Sequence, residues 1–324
     1  MRDEYDVIIA GAGPAGSTCA KILSQNGISP LLIDKKNFPR IKPCCGFLTS
    51  KAVSTVQRIF GQIPESILCN NREIEFQWSS TGKNYNSVKG YDLFLNLYRE
   101  RFDSWLLEKS DAEFLGNSTV ETFDQIGDKI AVDVLTDGKN HTFRCKYLIC
   151  ATGANSRLRK ILDKNYQPKN AGVGIQKVYR GHFECDKSIY YVNISRKFTD
   201  NAFSFFYFKD DLFFIGTGWT GKYDGYFERW FDFLKQRYNP ELELIRDERC
   251  CIEYKMEPDC LFFGNGNVIY AGEASGLIEN WGIGITSALI SGEKAAFSII
   301  QNKSDLASTY VLNIKPELDS LQRR

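Results

Sequence analysis

Tyr5-Asp6-Val7-Ile8-Ile9-Ala10-Gly11-Ala12-Gly13-Pro14-Ala15-Gly16 is the stretch that decides how the chain folds. Residues 5–10 form a short, almost continuous apolar run, as a parallel strand buried on both faces requires. Three glycines follow, and a helical stretch runs from Pro14 to Gln25, with Gly27 placed to end it. In this setting Gly11 permits the turn, Gly13 lets backbone approach a pyrophosphate, and Gly16 lets the helix pack on the strand. Pro14, Ala15 and Gly16 make the first helical turn, where free N–H groups and partial positive charge face phosphates. Residues 31–34 read as the second strand. They end on Asp34, 18 residues past Gly16, placed to accept hydrogen bonds from ribose hydroxyls. Lys35 and Arg40, just beyond, are expected to contact the same cofactor.

A second constellation lies at the far end of the chain. Tyr270-Ala271-Gly272-Glu273-Ala274-Ser275-Gly276 precedes Gly282-Ile283-Gly284-Ile285. Gly272 and Glu273 put a carboxylate at a strand end, near the ribityl and pyrophosphate region of a long dinucleotide. Gly282, Gly284 and Ile285 then open a helix whose N-terminus can face the N1–C2=O edge of an isoalloxazine, where reduced flavin carries negative charge. A single glycine turn does not separate NAD from FAD. Two such sites, at opposite ends of the chain, point to FAD.

The middle of the chain has a different texture. Residues 72–86 alternate, and 93–107 read as a helix. Residues 130–135 and 141–144 flank Asp137-Gly138, a hairpin signal. Residues 147–151 form a buried strand that ends at Ala151-Thr152-Gly153. The stretch 171–218 is strand-rich and aromatic, with Phe203, Phe205 and Tyr207 alternating with Phe206 and Phe208. Phe227, Trp230, Phe231 and Leu234 then mark one face of a helix, and the last third returns to strand, glycine loop and a helix over 285–300. The expected architecture is α/β: a Rossmann-like FAD-binding fold with an interleaved antiparallel-sheet substrate domain. The FAD-binding part takes residues 1–70, 100–165 and 260–324, and the substrate-binding part 71–99 and 166–259.

Composition excludes several other functions. With 324 residues, 43% apolar, and 41 basic against 40 acidic side chains, this is ordinary globular composition with no electrostatic footprint for nucleic acid. No apolar run approaches the roughly 20 residues that span a bilayer. No signal peptide opens the sequence, so a cytoplasmic location is expected, with peripheral membrane contact left open. The ten cysteines include no Cys-x-x-Cys, and with two histidines a metal site is not expected.

On these motifs the chain resembles the geranylgeranyl-reductase-like branch of the FAD-dependent oxidoreductases related to p-hydroxybenzoate hydroxylase. The matching segments are Gly11-Ala12-Gly13-Pro14-Ala15-Gly16, Lys42-Pro43-Cys44-Cys45-Gly46-Phe47-Leu48, Arg101-Phe102-Asp103 with Leu106, Ala151-Thr152-Gly153-Ala154-Asn155-Ser156, and 272–296. They occur in family order along nearly the whole chain. The resemblance implies an antiparallel sheet roofing the flavin, contact of Arg101 with the phosphates or adenosine, and the Cys44 to Gly46 loop beside the isoalloxazine. Ala151, Thr152 and Gly153 would close the cofactor site. The family usually reads Asp-Gly at Thr152-Gly153, Gly-Asp at Gly272-Glu273, and often Cys-Gly-Gly at Cys44-Cys45-Gly46. Glu273 keeps the carboxylate. The missing acid at Thr152 bears on how the enzyme meets a nicotinamide.

Cys44 is the leading candidate for chemistry, with Cys45 second. A thiol near flavin N5 could protonate a reduced substrate carbon, and Lys42 would favour its thiolate. The plainer alternative is a loop cysteine chosen for size. Trp281, Trp219 and Phe205 are candidates for the wall of an apolar or aromatic substrate pocket, against the alternative of simple core packing. The expected activity is reduction of an unsaturated apolar substrate, in the isoprenoid class, with electrons from NAD(P)H or a reduced carrier. The alternatives are an FAD monooxygenase on the same scaffold and a flavin-binding protein without turnover. Halogenases of the superfamily carry a Trp-x-Trp-x-Ile-Pro motif, which is absent here.

Overall fold

The computed structural model describes residues 2–80, 94–154, 156–167, 171–301 and 305–322, with Trp281 and Gln322 described by backbone alone. Strand β1 (Glu4–Ala10) leads into helix α1 (Pro14–Gln25) and β2 (Leu31–Ile33). Then come β3 (Phe47–Leu48), α2 (Ser50–Phe60), β4 (Leu68–Ser79), β5 (Phe94–Leu97) and α3 (Arg99–Lys109). Strands β6 (Glu113–Leu115), β7 (Ser118–Ile126), β8 (Lys129–Thr136) and β9 (Lys139–Cys150) precede the short α4 (Arg159–Leu162). The aromatic region builds β10 (Ala171–His182), β11 (Ile189–Asn193), β12 (Ser204–Lys209), β13 (Leu212–Trp219), α5 (Tyr226–Tyr238) and β14 (Glu241–Glu253). Strands β15 (Gly264–Asn265) and β16 (Val268–Tyr270) and helices α6 (Ile285–Ile300) and α7 (Leu306–Gln322) complete it.

These strands form two sheets of eight. The first runs β15-β16-β9-β1-β2-β6, with β8 and β7 continuing from β9. Its β16-β9-β1-β2-β6 centre is parallel, and Val7, Ile8 and Ile9 of β1 are fully buried, as a strand covered on both faces must be. The second strand of the hairpin, expected over 141–144, and the strand expected over 147–151 prove to be one twelve-residue strand, β9. Its first half pairs antiparallel with β8, and its second half joins the parallel centre.

The second sheet runs β14-β10-β13-β12-β11-β4-β5-β3, antiparallel throughout except where β11 lies beside β4. Its two faces follow strand alternation. Phe206, Phe208, Phe213 and Ile215 turn to α5, where Trp230 is fully buried. Phe205, Tyr207 and Phe214 turn to the opposite face, with Tyr190, Phe47 and Cys45.

One element departs from its sequence pattern. The expected helix over 93–107 begins only at Arg99, because Phe94–Leu97 is strand β5, inserted between β4 and β3 with Leu95 opposite both Glu73 and Leu48. Strand pairing with residues far along the chain overrides the local helical pattern there. The alternating stretch expected over 72–86 is strand as far as Ser79, and 81–86 lie outside the described residues. Among the described residues no helix is long and apolar enough to cross a membrane.

Candidate active site

The three turn glycines do different work. Gly11 has φ +107°, and a β-carbon there would lie 2.3 Å from the Ala151 carbonyl oxygen, while one on Gly16 would lie 1.8 Å from that of Gly11. The packing of the chain itself demands both. Gly13 is ordinary in conformation (φ −76°), and a β-carbon there would meet only Arg40 Nη2, at 3.6 Å. Its bare backbone is therefore not needed for folding and leaves an approach for a ligand. The N-terminus of α1 has no side-chain cap, nor has that of α6, so both keep unpaired N–H groups. Ser287 Oγ, in the first turn of α6, is buried without a hydrogen-bond partner. Asp34 pins the turn by accepting from the Ala12 N–H at 2.9 Å and the Lys36 N–H at 3.0 Å. A carboxylate has lone pairs to spare beyond those two bonds. Phosphates at Gly13 and α1, hydroxyls at Asp34 and a far ring at α6 are what a long dinucleotide would use.

Residues 4–187 match the family described as FAD binding domain. The chain belongs to that family. It is an FAD-binding protein. An uncharacterized protein of Methanosarcina barkeri is 35% identical over 161 residues, which take in 47% of this chain and 38% of that protein. Protein CbrA of Escherichia coli K12 is 26% identical over 95% of this chain and 88% of its own. Among solved structures, a geranylgeranyl bacteriochlorophyll reductase-like protein from Thermoplasma acidophilum superposes with a TM-score of 0.83 at 17% identity, covering 97% of this chain and 84% of that one. The flavin-dependent brominase Bmp2 follows at 0.75 and 19%, over 96% and 83%. At those identities the likeness is one of fold.

In the flavoprotein the loop from Arg40 to Thr49 is strung between the two helix N-termini. Its first residue lies beside Gly13, and Thr49 Oγ1 is 2.9 Å from Thr286 Oγ1 in α6. Gly46 has φ +67°, and a β-carbon there would lie 2.4 Å from the Leu97 carbonyl oxygen, so the loop is pressed onto β5. Cys44 and Cys45 are half-buried on its crest. A hydrogen bond from Cys45 holds the Cys44 thiol well below its ordinary pKa; the charge of Arg99 and the Gly46 N–H (3.4 Å) help, outweighing burial. Cys45 is pushed well up in return, by the same bond, by burial and by the neighbouring charge. The two sulfurs are thus pushed in opposite directions, Cys44 toward thiolate and Cys45 toward thiol.

Arg99 is itself buried. Its Nε and Nη2 donate to the two oxygens of Asp103 at 2.9 and 2.8 Å, and Arg40 Nη2 stands 3.2 Å from the same carboxylate. A continuous charged thread thus leads from the glycine turn to Cys44. Beneath the loop, Lys209 is 2% exposed and donates to Asn96 Oδ1 at 2.8 Å and to the Leu97 carbonyl, among the rings of Phe47, Tyr98 and Tyr207. Burial lowers its pKa below that of an ordinary lysine. The Tyr207 hydroxyl stands 2.7 Å from Gln176 Oε1 and 3.5 Å from the Cys44 carbonyl, and Gln176 donates to Glu248 at 2.9 Å.

Other expected residues fall at varied distances from this centre. The Ala151-Thr152-Gly153 loop packs directly on Gly11, and Thr152 Oγ1 donates to Ser156 Oγ at 2.6 Å. Gly272 packs beside Ala15 of α1, which brings the two ends of the chain together. Glu273 Oε1 accepts the Glu253 N–H at 3.1 Å. Burial raises its pKa, opposed by the charge of half-buried Lys42. Gly282 (φ +75°) approaches Ile252, and Gly284 caps Ile285. Phe205 shares the aromatic face with Cys45, whereas Trp219 packs on the α5 side. Arg101 points away, exposed over the Tyr98 ring and donating to the Ser66 carbonyl. Lys35 is exposed. The Trp281 side chain lies outside the described residues. The sequence reading passed over Arg99 and Lys209. An Arg with Asp at i+4 was a visible signal for the first; the isolated lysine ending an aromatic strand was a fainter one for the second.

Proposed function

We propose that this flavoprotein is a reductase of an unsaturated, apolar substrate in the isoprenoid class, supplied with electrons by NAD(P)H or a reduced carrier. Bound FAD would supply the hydride. The carrying observation is the pairing, on one side of the Arg40 to Thr49 loop, of a thiol couple with a wall of aromatic rings. Phe205, Tyr207 and Tyr190 lie within 5.9 Å of one another, centre to centre, with Phe47 5.1 Å from both tyrosines. Such a wall suits an apolar chain or ring.

The residues divide the labour as follows. Gly13 and the start of α1 take the phosphates, with Arg40 alongside; Asp34 takes a ribose; and the N-terminus of α6 faces the negative edge of the ring system. The first sheet, with 1–70, 100–165 and 260–324, carries the cofactor, and 71–99 and 166–259 shape the substrate side. Cys45, which keeps its proton, is the group able to protonate a substrate carbon. Cys44, charged and tied to Arg99, orients it. This reverses the weight that sequence alone put on Cys44.

Anaerobic reduction of the bound flavin, followed by addition of a panel of polyprenyl and other alkene substrates, tests the reading. Reoxidation by one of them is the expected result, and its absence across the panel sinks the proposal. The brominase likeness keeps oxygen chemistry as a second reading. A stopped-flow spectrum of reduced enzyme mixed with oxygen that shows a hydroperoxide-like transient would favour it.

A further inference from the structure

Cys44 and Cys45 are consecutive and both half-buried, whereas Cys19, Cys69, Cys145, Cys150 and Cys260 are buried. The pair sits in surroundings built for one anionic sulfur. The Gly46 N–H donates to Cys44 Sγ at 3.4 Å, and the guanidinium of Arg99 beside it is fixed by both oxygens of Asp103. The loop is anchored at three points: Arg40 at Gly13, Gly46 against Leu97, and Thr49 at Thr286. Consecutive Cα atoms are about 3.8 Å apart across a trans peptide, short of the roughly 4.4–6.8 Å usual across a disulfide. A bond between these two sulfurs is therefore strained, and strained disulfides are the readily reduced ones that cycle.

We propose that Cys44 and Cys45 form a redox-active dithiol that exchanges an electron pair with the flavin. The inference rests on the function proposed above, with this loop beside the isoalloxazine as the family resemblance implies. The balance is simple. A sulfur–sulfur bond forms as the Cys44 thiolate and the Cys45 thiol lose two electrons and one proton, and oxidised FAD receives both electrons and that proton to give FADH⁻. In reverse, reduced flavin opens the disulfide and regenerates one thiolate and one thiol. The chain thus stores a second electron pair beside its cofactor.

The test uses the holoenzyme, treated with oxidised glutathione, desalted, and titrated anaerobically with dithionite while flavin absorbance is followed. The same sample is alkylated and digested with trypsin. Lys42-Pro43 resists cleavage, so both thiols fall on peptide 41–51, which contains no other cysteine. The expected result is that wild type consumes one two-electron equivalent of dithionite per flavin more than the Cys44→Ser, Cys45→Ser double variant, as an added two-electron couple requires. Peptide 41–51 is recovered unalkylated before titration and doubly alkylated after it. Equal consumption by both proteins, with the peptide alkylated from the start, overturns the dithiol couple and leaves the loop's placement standing. A disulfide that survives complete flavin reduction overturns the exchange, and with it the placement of the loop at the ring.

Discussion

Asp103 is fully buried and holds two arginines, one at the glycine turn and one at the thiol loop. Arg99 alone grips both oxygens, so it carries most of that arrangement. Replacing it with Met leaves a buried carboxylate with Arg40 as its remaining ion-pair partner. Breaking a buried pair costs about 3–5 kcal/mol, and the loss here falls toward the lower end because Arg40 stays. The same change acts on Cys44. A thiol whose folded pKa is depressed adds stability that is complete above its unfolded pKa and is lost as pH falls through the folded one. Thiolate absorbance near 240 nm should therefore persist well below the ordinary thiol range in wild type, and vanish at a higher pH in Arg99→Met. Arg99→Lys keeps the charge and loses the fork, so it should lie between the two. Identical titrations in all three proteins would show that Arg99 does not set the charge on Cys44.

At the scale of the element, α1 and its turn offer a cleaner separation of folding from binding. Gly16→Ala drives a methyl against the Gly11 carbonyl. The strand–helix packing cannot absorb that, and the expected loss is more than ~4 kcal/mol, in the exceptional range for a single change. Gly13→Ala meets nothing closer than Arg40 at 3.6 Å. Its melting temperature as apoprotein should match wild type while its flavin content, read as absorbance at 450 nm over 280 nm, falls sharply. A Gly13→Ala protein that retains full flavin would show that no phosphate passes there. Helix α5 makes a stability test alone: Trp230 is fully buried against the second sheet, and Trp230→Ala should cost about 3–5 kcal/mol in a denaturant melt. Helices α1, α5 and α6 were legible because their spacing, glycines and apolar faces are local. Strand β5 was not, since Phe94 to Leu97 take their conformation from partners at Leu48 and Glu73 that no window of sequence contains. The same reason hid Lys209, whose meaning depends on Asn96 and Leu97 more than a hundred residues away.

At the scale of the molecule, the proposed function needs the two sheets held in register, so that a cofactor on one could meet a substrate on the other. Glu273 is one tie between them. It leaves the glycine turn after β16 in the first sheet and accepts the backbone N–H of Glu253, the last residue of β14 in the second, while Tyr166 donates to the Glu253 carboxylate at 2.8 Å. The sequence showed a carboxylate at this position and assigned it to the cofactor; only the fold shows that its extra methylene reaches across to the other sheet. Glu273→Asp should therefore lose the bridge without losing the carboxyl group. A buried hydrogen bond is worth about 0.5–1.5 kcal/mol net, and the Glu253 amide should exchange faster with solvent. Glu273→Gln keeps the accepting oxygen and cannot ionise. Because burial raises the Glu273 pKa, the wild-type contribution is complete below the unfolded carboxyl pKa of about 4.3 and is lost as pH rises through the folded value. Wild type should accordingly lose stability relative to Glu273→Gln as pH rises from about 4.3 through the folded pKa, so that the variant gains on it step by step in parallel melts. A stability difference that stays flat across that window would mean that burial does not raise the Glu273 pKa above its unfolded value.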